Sequence, residues 1–197
     1  MEISLINSKG VFIKAKQISI AIDPFTQNLN LDLDGKTPDV ILSSKSFLEL
    51  SDLPENVKYF SWPGEYSVQG VSIMSHFQDE EEQNEDNKSN VFVINLDGIK
   101  IAYIYNLKKE LHSDLIEKIG NIDLLILEPT NQDKIFNNTM EEIDPSAILP
   151  IFNPEAEGAK EAFFQKQGFN IPETKEKINI NSRSDFASDK MDILLLK

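Results

Sequence analysis

Hydrophobic and polar residues alternate through most of the first half of the chain, as they do in β-strands that bury one face. The clearest case is residues 17–22, which run Gln-Ile-Ser-Ile-Ala-Ile and stop at Asp23-Pro24. A continuous apolar run, Val-Ile-Leu at residues 40–42, is typical of a strand buried on both faces. The pattern predicts strands at residues 2–6, 10–14, 17–22, 39–43, 58–62 and 66–75.

The second half of the chain predicts a hairpin followed by alternating strands and helices. Asp97-Gly98 is a strong two-residue turn signal, and it separates residues 91–96 from residues 99–105. Apolar residues at helical spacing predict a helix at about 109–119, which Gly120 ends. We further predict helices at about 139–143 and 154–167, and strands at 122–127, 147–151, 178–180 and 192–196.

Residues 78–90 differ in composition from the rest of the chain. They hold six acidic residues, one lysine and no apolar side chain, so we predict a mobile hairpin loop that contributes nothing to the core. No Pro-, Gly- or Ser-rich linker interrupts the sequence. The chain is therefore predicted to form one α/β domain over residues 1–197, in which two sheets pack together with helices outside.

Charge and composition exclude several classes of function. The 197 residues include 19 Lys and Arg against 33 Asp and Glu, a net charge of −14, which argues against nucleic acid or an anionic membrane as a partner. Arg183 is the sole arginine. Two histidines and no cysteine exclude a His-rich or Cys-ligated metal site and a thiolate nucleophile.

The sequence also predicts a cytoplasmic protein. The opening Met1-Glu2-Ile3-Ser4 lacks the basic segment and apolar run of a signal peptide. No apolar stretch approaches the roughly 20 residues that a membrane helix needs. The absence of cysteine agrees with that compartment.

Several short motifs follow one another in the order seen in a known family. They are Ile22-Asp23-Pro24-Phe25, Pro38-Asp39-Val40-Ile41-Leu42-Ser43, Pro63-Gly64-Glu65-Tyr66, Asp97-Gly98, Asn121-Ile122-Asp123-Leu124-Leu125-Ile126 and Ile148-Leu149-Pro150. This order resembles the metallo-β-lactamase superfamily, in particular its small prokaryotic hydrolases similar to the ascorbate-phosphate lactonase. The resemblance implies an αββα sandwich of two mixed sheets packed face to face, with outer helices.

The same resemblance indicates which residues are structural. Asp23, Pro24, Gly64 and Glu65 match positions that belong to the fold rather than to the chemistry of the family. For Asp23 there is a physical reason, because a carboxylate before proline accepts backbone N–H groups in the turn that leaves the strand.

The positions that correspond to the metal ligands of the family hold other residues, namely Ser8, Lys45, Phe47, Glu49, Leu50, Asn106 and Phe152. Glu49 and Asn106 replace aspartates, and the other five replace histidines. Leucine and phenylalanine have no lone pair for a metal ion, and a charged lysine repels one. We therefore expect a degenerate site that binds no metal and needs no cofactor.

Two lysines are candidates to replace the positive charge of the lost metal. Lys45, and also Lys109, could lie beside Glu49 and Asn106 in the vacated space. The alternative is that both lysines point to solvent. The two histidines are weaker candidates for a functional role. His112 is predicted to be an exposed helix residue, and His76 is predicted to end a strand close to a family histidine position. We therefore expect no Ser/His/Asp triad.

The preferred hypothesis is a metal-free, non-catalytic protein of this fold, a pseudoenzyme with a binding or assembly role. Its partner would be an unidentified protein or small molecule. The alternative is a divergent metal-dependent hydrolase of phosphoesters or lactones with relocated ligands. A third hypothesis, a structural subunit of a homo-oligomer, stays open at this point.

Overall fold

The computed structural model describes residues 1–7, 9–26, 28–50, 52–107, 109–129, 132–153, 156–187 and 190–197, with the side chains of residues 86 and 133 excepted. In this part of the chain two β-sheets face each other, and three α-helices pack on one of them. None of the described helices is both long enough and apolar enough to cross a membrane.

The described strands and helices follow the predicted order. The strands are β1 (Glu2–Ile6), β2 (Gly10–Lys14), β3 (Ser19–Ile22), β4 (Val40–Leu42), β5 (Lys58–Phe60), β6 (Gly64–Val68), β7 (Val71–Phe77), β8 (Asn90–Leu96), β9 (Ile99–Ile104), β10 (Leu124–Leu127), β11 (Ala147–Pro150), β12 (Lys177–Asn179) and β13 (Asp192–Ile193). The helices are α1 (Ser113–Ile119), α2 (Asp133–Ile143) and α3 (Ala159–Gln167), and Glu85–Asn87 and Arg183–Asp185 form single 3-10 turns.

Both sheets are mixed, as the resemblance implies. The first has the order β12-β1-β2-β3-β4-β5, antiparallel from β12 to β3 and parallel from β3 to β5. The second has the order β13-β11-β10-β9-β8-β7-β6, parallel from β13 to β9 and antiparallel from β9 to β6. The carboxyl ends of parallel neighbours lie at one sheet edge, which brings the loops after β3, β4, β9 and β10 into position to form a site.

The core lies between the two sheets. The inner face of the first sheet contributes Ile3, Ile13 and Ile20, which are fully buried. The inner face of the second contributes Ile94 and Ile101, which are equally buried. Isoleucine fits this place because β-branched side chains pack well on a pleated surface, and each buried side chain of this size contributes roughly 1.5–3 kcal/mol.

The two outer faces are covered differently. On the second sheet, residues such as Val93 and Leu125 pack against all three helices, where the rings of Phe136 and Phe163 meet edge to face at 5.1 Å. On the first sheet, Ile41 packs with side chains that include Phe25 and Leu31 of the loop after β3, and no described helix takes part. The sandwich is confirmed, with its described helices on one outer face.

Element boundaries differ from the predicted ones for local reasons. Residues 66–75 belong to two antiparallel strands, because Gln69 (φ 50°) and Gly70 (φ 80°) form a turn between them. The first helix begins at Ser113 rather than near residue 109, and the second begins earlier than predicted, at Asp133. The third begins at Ala159, after Gly158 in a left-handed conformation (φ 74°); Pro154, its predicted start, lies outside the described residues.

The acidic segment 78–90 does connect two strands, β7 and β8, but the prediction that it contributes nothing to the core is wrong at its ends. Gln78 is 8% exposed and Asn90 is fully buried. The Asn90 amide donates to the carbonyl oxygens of Ser43 (3.1 Å) and Ser61 (2.9 Å), and its Oδ1 accepts from the Ser46 hydroxyl (2.9 Å). This single amide therefore ties β8 of the second sheet to the loops after β4 and β5 of the first.

Replacing Asn90 by alanine should lower the free energy of unfolding by about 3 kcal/mol, because Ser43, Ser46 and Ser61 would each lose a buried hydrogen-bond partner. Urea denaturation measures this value. Asn95→Ala is the matched control, since Asn95 lies on the same strand with an exposed side chain, and its effect should stay within about 0.5 kcal/mol. Equal effects of the two substitutions would contradict the role given to Asn90.

Candidate functional site

A cleft of about 270 Å³ lies at the edge where the loops after β3, β4 and β9 meet. Residues just before β8 complete it, because β8 runs antiparallel to β9 and so begins at that edge. Strands of both sheets thus contribute to one concave surface, which is where ligands bind most often in layered α/β proteins.

The described lining of the cleft combines cationic, polar and apolar side chains. Its charged residues are Lys9, Lys45, Lys88 and Asp23. Its uncharged polar residues include Ser44, Asn87, Ser89 and Asn106, and its apolar wall is formed by Phe25, Leu29 and Tyr105. In a chain of net charge −14, lysines thus outnumber carboxylates in this described lining.

Asp23 links the ends of strands from both sheets. Its backbone is left-handed (φ 49°) and turns the chain out of β3. Its Oδ1 accepts the backbone N–H of Ser44 after β4 (2.7 Å), and its Oδ2 accepts the hydroxyl of Tyr103 on β9 (2.8 Å). Sequence reasoning expects the N–H donor in the turn of Asp23 itself, but the structure places this donor in the neighbouring loop.

Burial dominates the protonation of the groups around Asp23. It raises the pKa of the Asp23 carboxyl, against the hydrogen bonds from Ser44 and Tyr103, which lower it. Burial also raises the pKa of Tyr105 to about 12, with smaller contributions from Glu128 and Asp23, and it raises the pKa of Tyr103 well above the ordinary value. Neither tyrosine therefore supplies a phenolate at neutral pH.

Glu128, directly after β10, is the second carboxyl at this edge. Burial raises its pKa, while the positive charge of Lys9 and a hydrogen bond from the Asn106 backbone lower it. Lys9 therefore lies within electrostatic reach of Glu128.

The residues at the expected ligand positions do not converge. Lys45 and Asn106 line the cleft, and Asn106 adopts a left-handed backbone (φ 55°). Glu49 is exposed and Leu50 is half-buried, both away from the lining. Ser8 lies outside the described residues.

Two of these positions belong to aromatic clusters instead. The ring of Phe47 packs against Trp62 (4.3 Å between centroids) and Phe77 (5.8 Å). The ring of Phe152 contacts Phe163 (5.7 Å) beneath α3. Aromatic packing of this kind contributes about 0.5–1.5 kcal/mol per pair beyond area burial, so these two side chains now serve packing.

Lys109 does not occupy the space beside Asn106, which corrects one of the two lysine candidates. Its ammonium forms an ion pair with Asp79 of the acidic segment, and its side chain is 56% exposed. Lys118 of α1 pairs in the same way with Glu80 (2.8 Å). The acidic segment is thus neutralised in part by lysines that follow β9.

The other motif residues that the resemblance marks as structural lie outside the cleft. The carbonyl of Pro24 accepts the Asp32 backbone N–H (2.8 Å), which holds the loop after β3 in place. Gly64 faces Tyr66 so closely that a Cβ there would lie 3.2 Å from the tyrosine hydroxyl. Glu65 on β6 is exposed, and its role stays a prediction.

The two histidines occupy different environments. His112 precedes α1 with a side chain that is 73% exposed. His76 is half-buried on β7, and its Nε2 is shielded from solvent without a hydrogen-bond partner among the described residues. Burial, followed by the nearby charge of Lys118, lowers the pKa of His76 below 6.5.

The donor set at this edge does not fit a zinc ion. Zinc sites need three or four imidazole, thiolate or carboxylate ligands about 2 Å from the ion. Among the described residues no group of three or more His, Cys, Asp or Glu side chains could hold a metal ion. Asp23 already accepts two hydrogen bonds, and the cleft lining around it includes the cationic side chain of Lys45.

Sequence reasoning missed Lys9, Lys88, Tyr103 and Tyr105. Tyr105 follows directly after β9, so its place at the sheet edge could have been found from the strand prediction. Tyr103 could not, because its contact with Asp23 spans 80 residues. The role of Lys88 could not be predicted either, because this residue belongs to the acidic segment, whose composition indicates only a solvated loop.

Comparison with known proteins is informative about the fold. Residues 2–152 match a sequence-family model described as "Beta-lactamase superfamily domain". A search of curated proteins finds no match.

Three solved structures share the architecture. A proposed Zn-dependent hydrolase of the metallo-β-lactamase superfamily from Thermotoga maritima is 20% identical with a TM-score of 0.72, covering 100% of this chain and 99% of that chain. The metallo-β-lactamase fold protein YhfI from Bacillus subtilis is 12% identical with a TM-score of 0.58, and the match covers 98% of this chain and 95% of that chain. The isothiocyanate hydrolase from Delia radicum gut bacteria is 10% identical with a TM-score of 0.60, and the match covers 91% of this chain and 99% of that chain. At such identities the likeness concerns the fold alone.

Asp23→Ala should lower the free energy of unfolding by about 2–3 kcal/mol, because it leaves the Ser44 N–H and the Tyr103 hydroxyl without their shared acceptor. Asp23→Asn keeps an acceptor for Ser44 and should cost less than half as much. Combining Asp23→Ala with Tyr103→Phe should be less destabilising than the sum of the two changes. Strict additivity in urea denaturation would show that the two side chains are not coupled.

Stability should depend on pH through His76. The folded state lowers the pKa of this imidazole, so below pH 6.5 the unfolded chain binds the proton first and the free energy of unfolding falls. The His76→Gln variant should lose this contribution, which is at most about 1.4 kcal/mol per pH unit. His112→Gln is the control at an exposed site, and it should retain the wild-type slope between pH 7 and pH 5. A His76→Gln slope equal to that of the wild type would contradict the prediction.

Proposed function

We propose that this chain, which belongs to the metallo-β-lactamase superfamily, is a non-catalytic member that uses the cleft at its strand ends for binding. In this proposal the chain has kept the sandwich and the cleft but has lost the metal chemistry of its relatives. The partner enters the cleft as a ligand and leaves it unchanged.

The observation that carries the proposal is the kind of side chain that lines the cleft. Lys45 and Asn106 line the cleft, and the sequence resemblance assigns them to the positions of a family histidine and of the bridging aspartate. Hydrolysis in such a fold depends on a metal that brings a bound water to a pKa near 7. A lysine ammonium and a neutral amide are not the ligands of a zinc site and supply no general base, whereas both donate hydrogen bonds to a bound molecule.

The protonation states support the same proposal. Tyr105, with its pKa raised to about 12, remains a neutral hydrogen-bond donor at physiological pH. The Asp23 carboxyl accepts hydrogen bonds from the Ser44 N–H and the Tyr103 hydroxyl and thereby stabilises the loops around the cleft. The described lining therefore offers donors to a ligand but no free base at neutral pH.

Metal analysis tests the proposal directly. Protein purified without chelators, incubated with excess zinc chloride and then desalted, should contain less than about a tenth of an equivalent of metal, since a genuine site would retain a near-stoichiometric amount. Emission spectrometry measures the content. The same preparation should not hydrolyse bis(p-nitrophenyl) phosphate or a simple lactone faster than buffer does.

The alternative hypothesis makes the opposite prediction. A divergent hydrolase with relocated ligands would hold close to one or two equivalents of metal, and its turnover would disappear on treatment with a chelator and return with zinc. Near-stoichiometric metal together with chelator-sensitive turnover would replace our proposal by that one.

A further inference from the structure

We propose that the cleft binds a small organic anion, whose oxyanion group lies against Lys45 and whose apolar part lies against Phe25 and Leu29. This inference rests on the binding role proposed above and deepens it by naming the class of ligand. The anion is either a carboxylate or a phosphoryl compound, since both present oxygen acceptors to an ammonium group.

The first argument concerns the charges at the cleft. Lys9 lies within electrostatic reach of Glu128, because its charge opposes the larger effect of burial, which raises the pKa of that carboxyl. The ammonium of Lys88 lies over aromatic rings, 5.0 Å from the centroid of Phe77 and 5.8 Å from that of Phe47. The charges of both lysines are therefore met by groups of the chain itself.

Lys45 differs from these two lysines. It is half-buried and lines the cleft, but none of the described carboxylates lies within salt-bridge distance of its ammonium. The one carboxylate in the described lining, Asp23, is directed to Ser44 and Tyr103. The Lys45 ammonium can therefore pair with an anionic ligand without first giving up an ion pair to a described carboxylate.

The second argument concerns the side chains around Lys45. Asn87 and Asn106 line the same cleft and carry amide donors that suit an oxyanion, whereas the Ser89 hydroxyl already donates to Gln78 (3.2 Å). The backbone of Lys45 is held in place, because it pairs with Ser89 across an isolated bridge and its carbonyl accepts the Ser43 hydroxyl (2.9 Å). A fixed backbone reduces the entropy lost when the ligand is bound.

The third argument concerns size and polarity. Phe25, Leu29 and Tyr105 form an apolar wall beside the lysine, and a purely inorganic anion would leave that wall without a contact. The volume of about 270 Å³ is slightly below the roughly 300–1,000 Å³ of drug-sized sites. A net charge of −14 opposes an extended polyanion, so the cleft suits a small amphiphilic anion.

Titration calorimetry on protein treated with EDTA and then dialysed tests the inference. The probes are phenylphosphonate, benzoate, inorganic phosphate and benzyl alcohol, which is uncharged but similar in size to benzoate. One of the two aromatic anions should bind at least about tenfold more tightly than benzyl alcohol, as expected for one charge-assisted hydrogen bond. It should also bind more tightly than inorganic phosphate, which cannot contact the apolar wall. The better of the two anions identifies the head group.

The variants locate the binding. Lys45→Met should weaken the better aromatic anion about tenfold or more, and Lys45→Arg should restore most of the affinity. Lys14→Met, at an exposed position on β2, should bind as the wild type does. A urea titration of each variant verifies that it is folded, and amide chemical shifts at Ser44, Ser89 and Asn106 report the site.

The inference is overturned if benzyl alcohol binds as tightly as the aromatic anions, if no probe binds the wild type, or if folded Lys45→Met retains full affinity. These outcomes differ from a failure of the proposed function, which would show as bound metal and turnover in protein that was never exposed to EDTA. A protein that is metal-free but binds no anion would refute this inference alone.

Discussion

Buried polar groups at the strand ends must find hydrogen-bond partners within the protein, and the rest of the site depends on how they do so. The two inner sheet faces are rich in isoleucine and valine, and their packing brings the loops after the strands together. Apolar packing is not directional, so it does not fix how these loops are oriented. Asn90 and Asp23 fix the orientation of the loops, because each side chain joins separate strands or loops through hydrogen bonds of 2.7–3.1 Å. A buried amide or carboxyl without these partners would cost about 1–3 kcal/mol, so the loops are fixed in the one arrangement that satisfies both.

A bound metal ion joins loops by accepting ligands from several of them, and its binding energy stabilises the fold. In this chain the corresponding loops are joined by hydrogen bonds between side chains and backbone groups. The Asn90 amide connects the loops after β4 and β5 to β8, and Asp23 connects the ends of β3, β4 and β9. The aromatic contacts of Phe47 with Trp62 and Phe77 add apolar packing at one of the expected ligand positions. The cleft is therefore held in shape by hydrogen bonds and aromatic contacts of the protein's own side chains.

The sequence was sufficient to predict the sheets but not the contacts that join them. Period-two alternation and the Asp97-Gly98 turn predicted most strands, since these signals are local. The sequence places the start of α1 too early because Leu111 satisfies the same apolar spacing and is buried, although it precedes the helix, which begins at Ser113. Asn90 was assigned to a solvated loop because its role depends on partners 29 to 47 residues away. Long-range polar contacts leave no periodic pattern, so the family resemblance, rather than the alternation, located Lys45 and Asn106.

The charge distribution decides which ligands can reach the cleft. Much of the negative charge lies in residues 79–86, where Lys109 and Lys118 offset Asp79 and Glu80. At physiological ionic strength charges are screened over about 8 Å, so a ligand near Lys45 interacts mainly with the groups that line the cleft and only weakly with the total charge of −14. If the cleft binds an anion as proposed, a small one would interact mainly with the lysines, whereas a long polyanion that extends over the surface would also meet the acidic residues and be repelled. In that proposal, selectivity for small ligands would come from the contrast between the lysines of the cleft and the acidic surface around it.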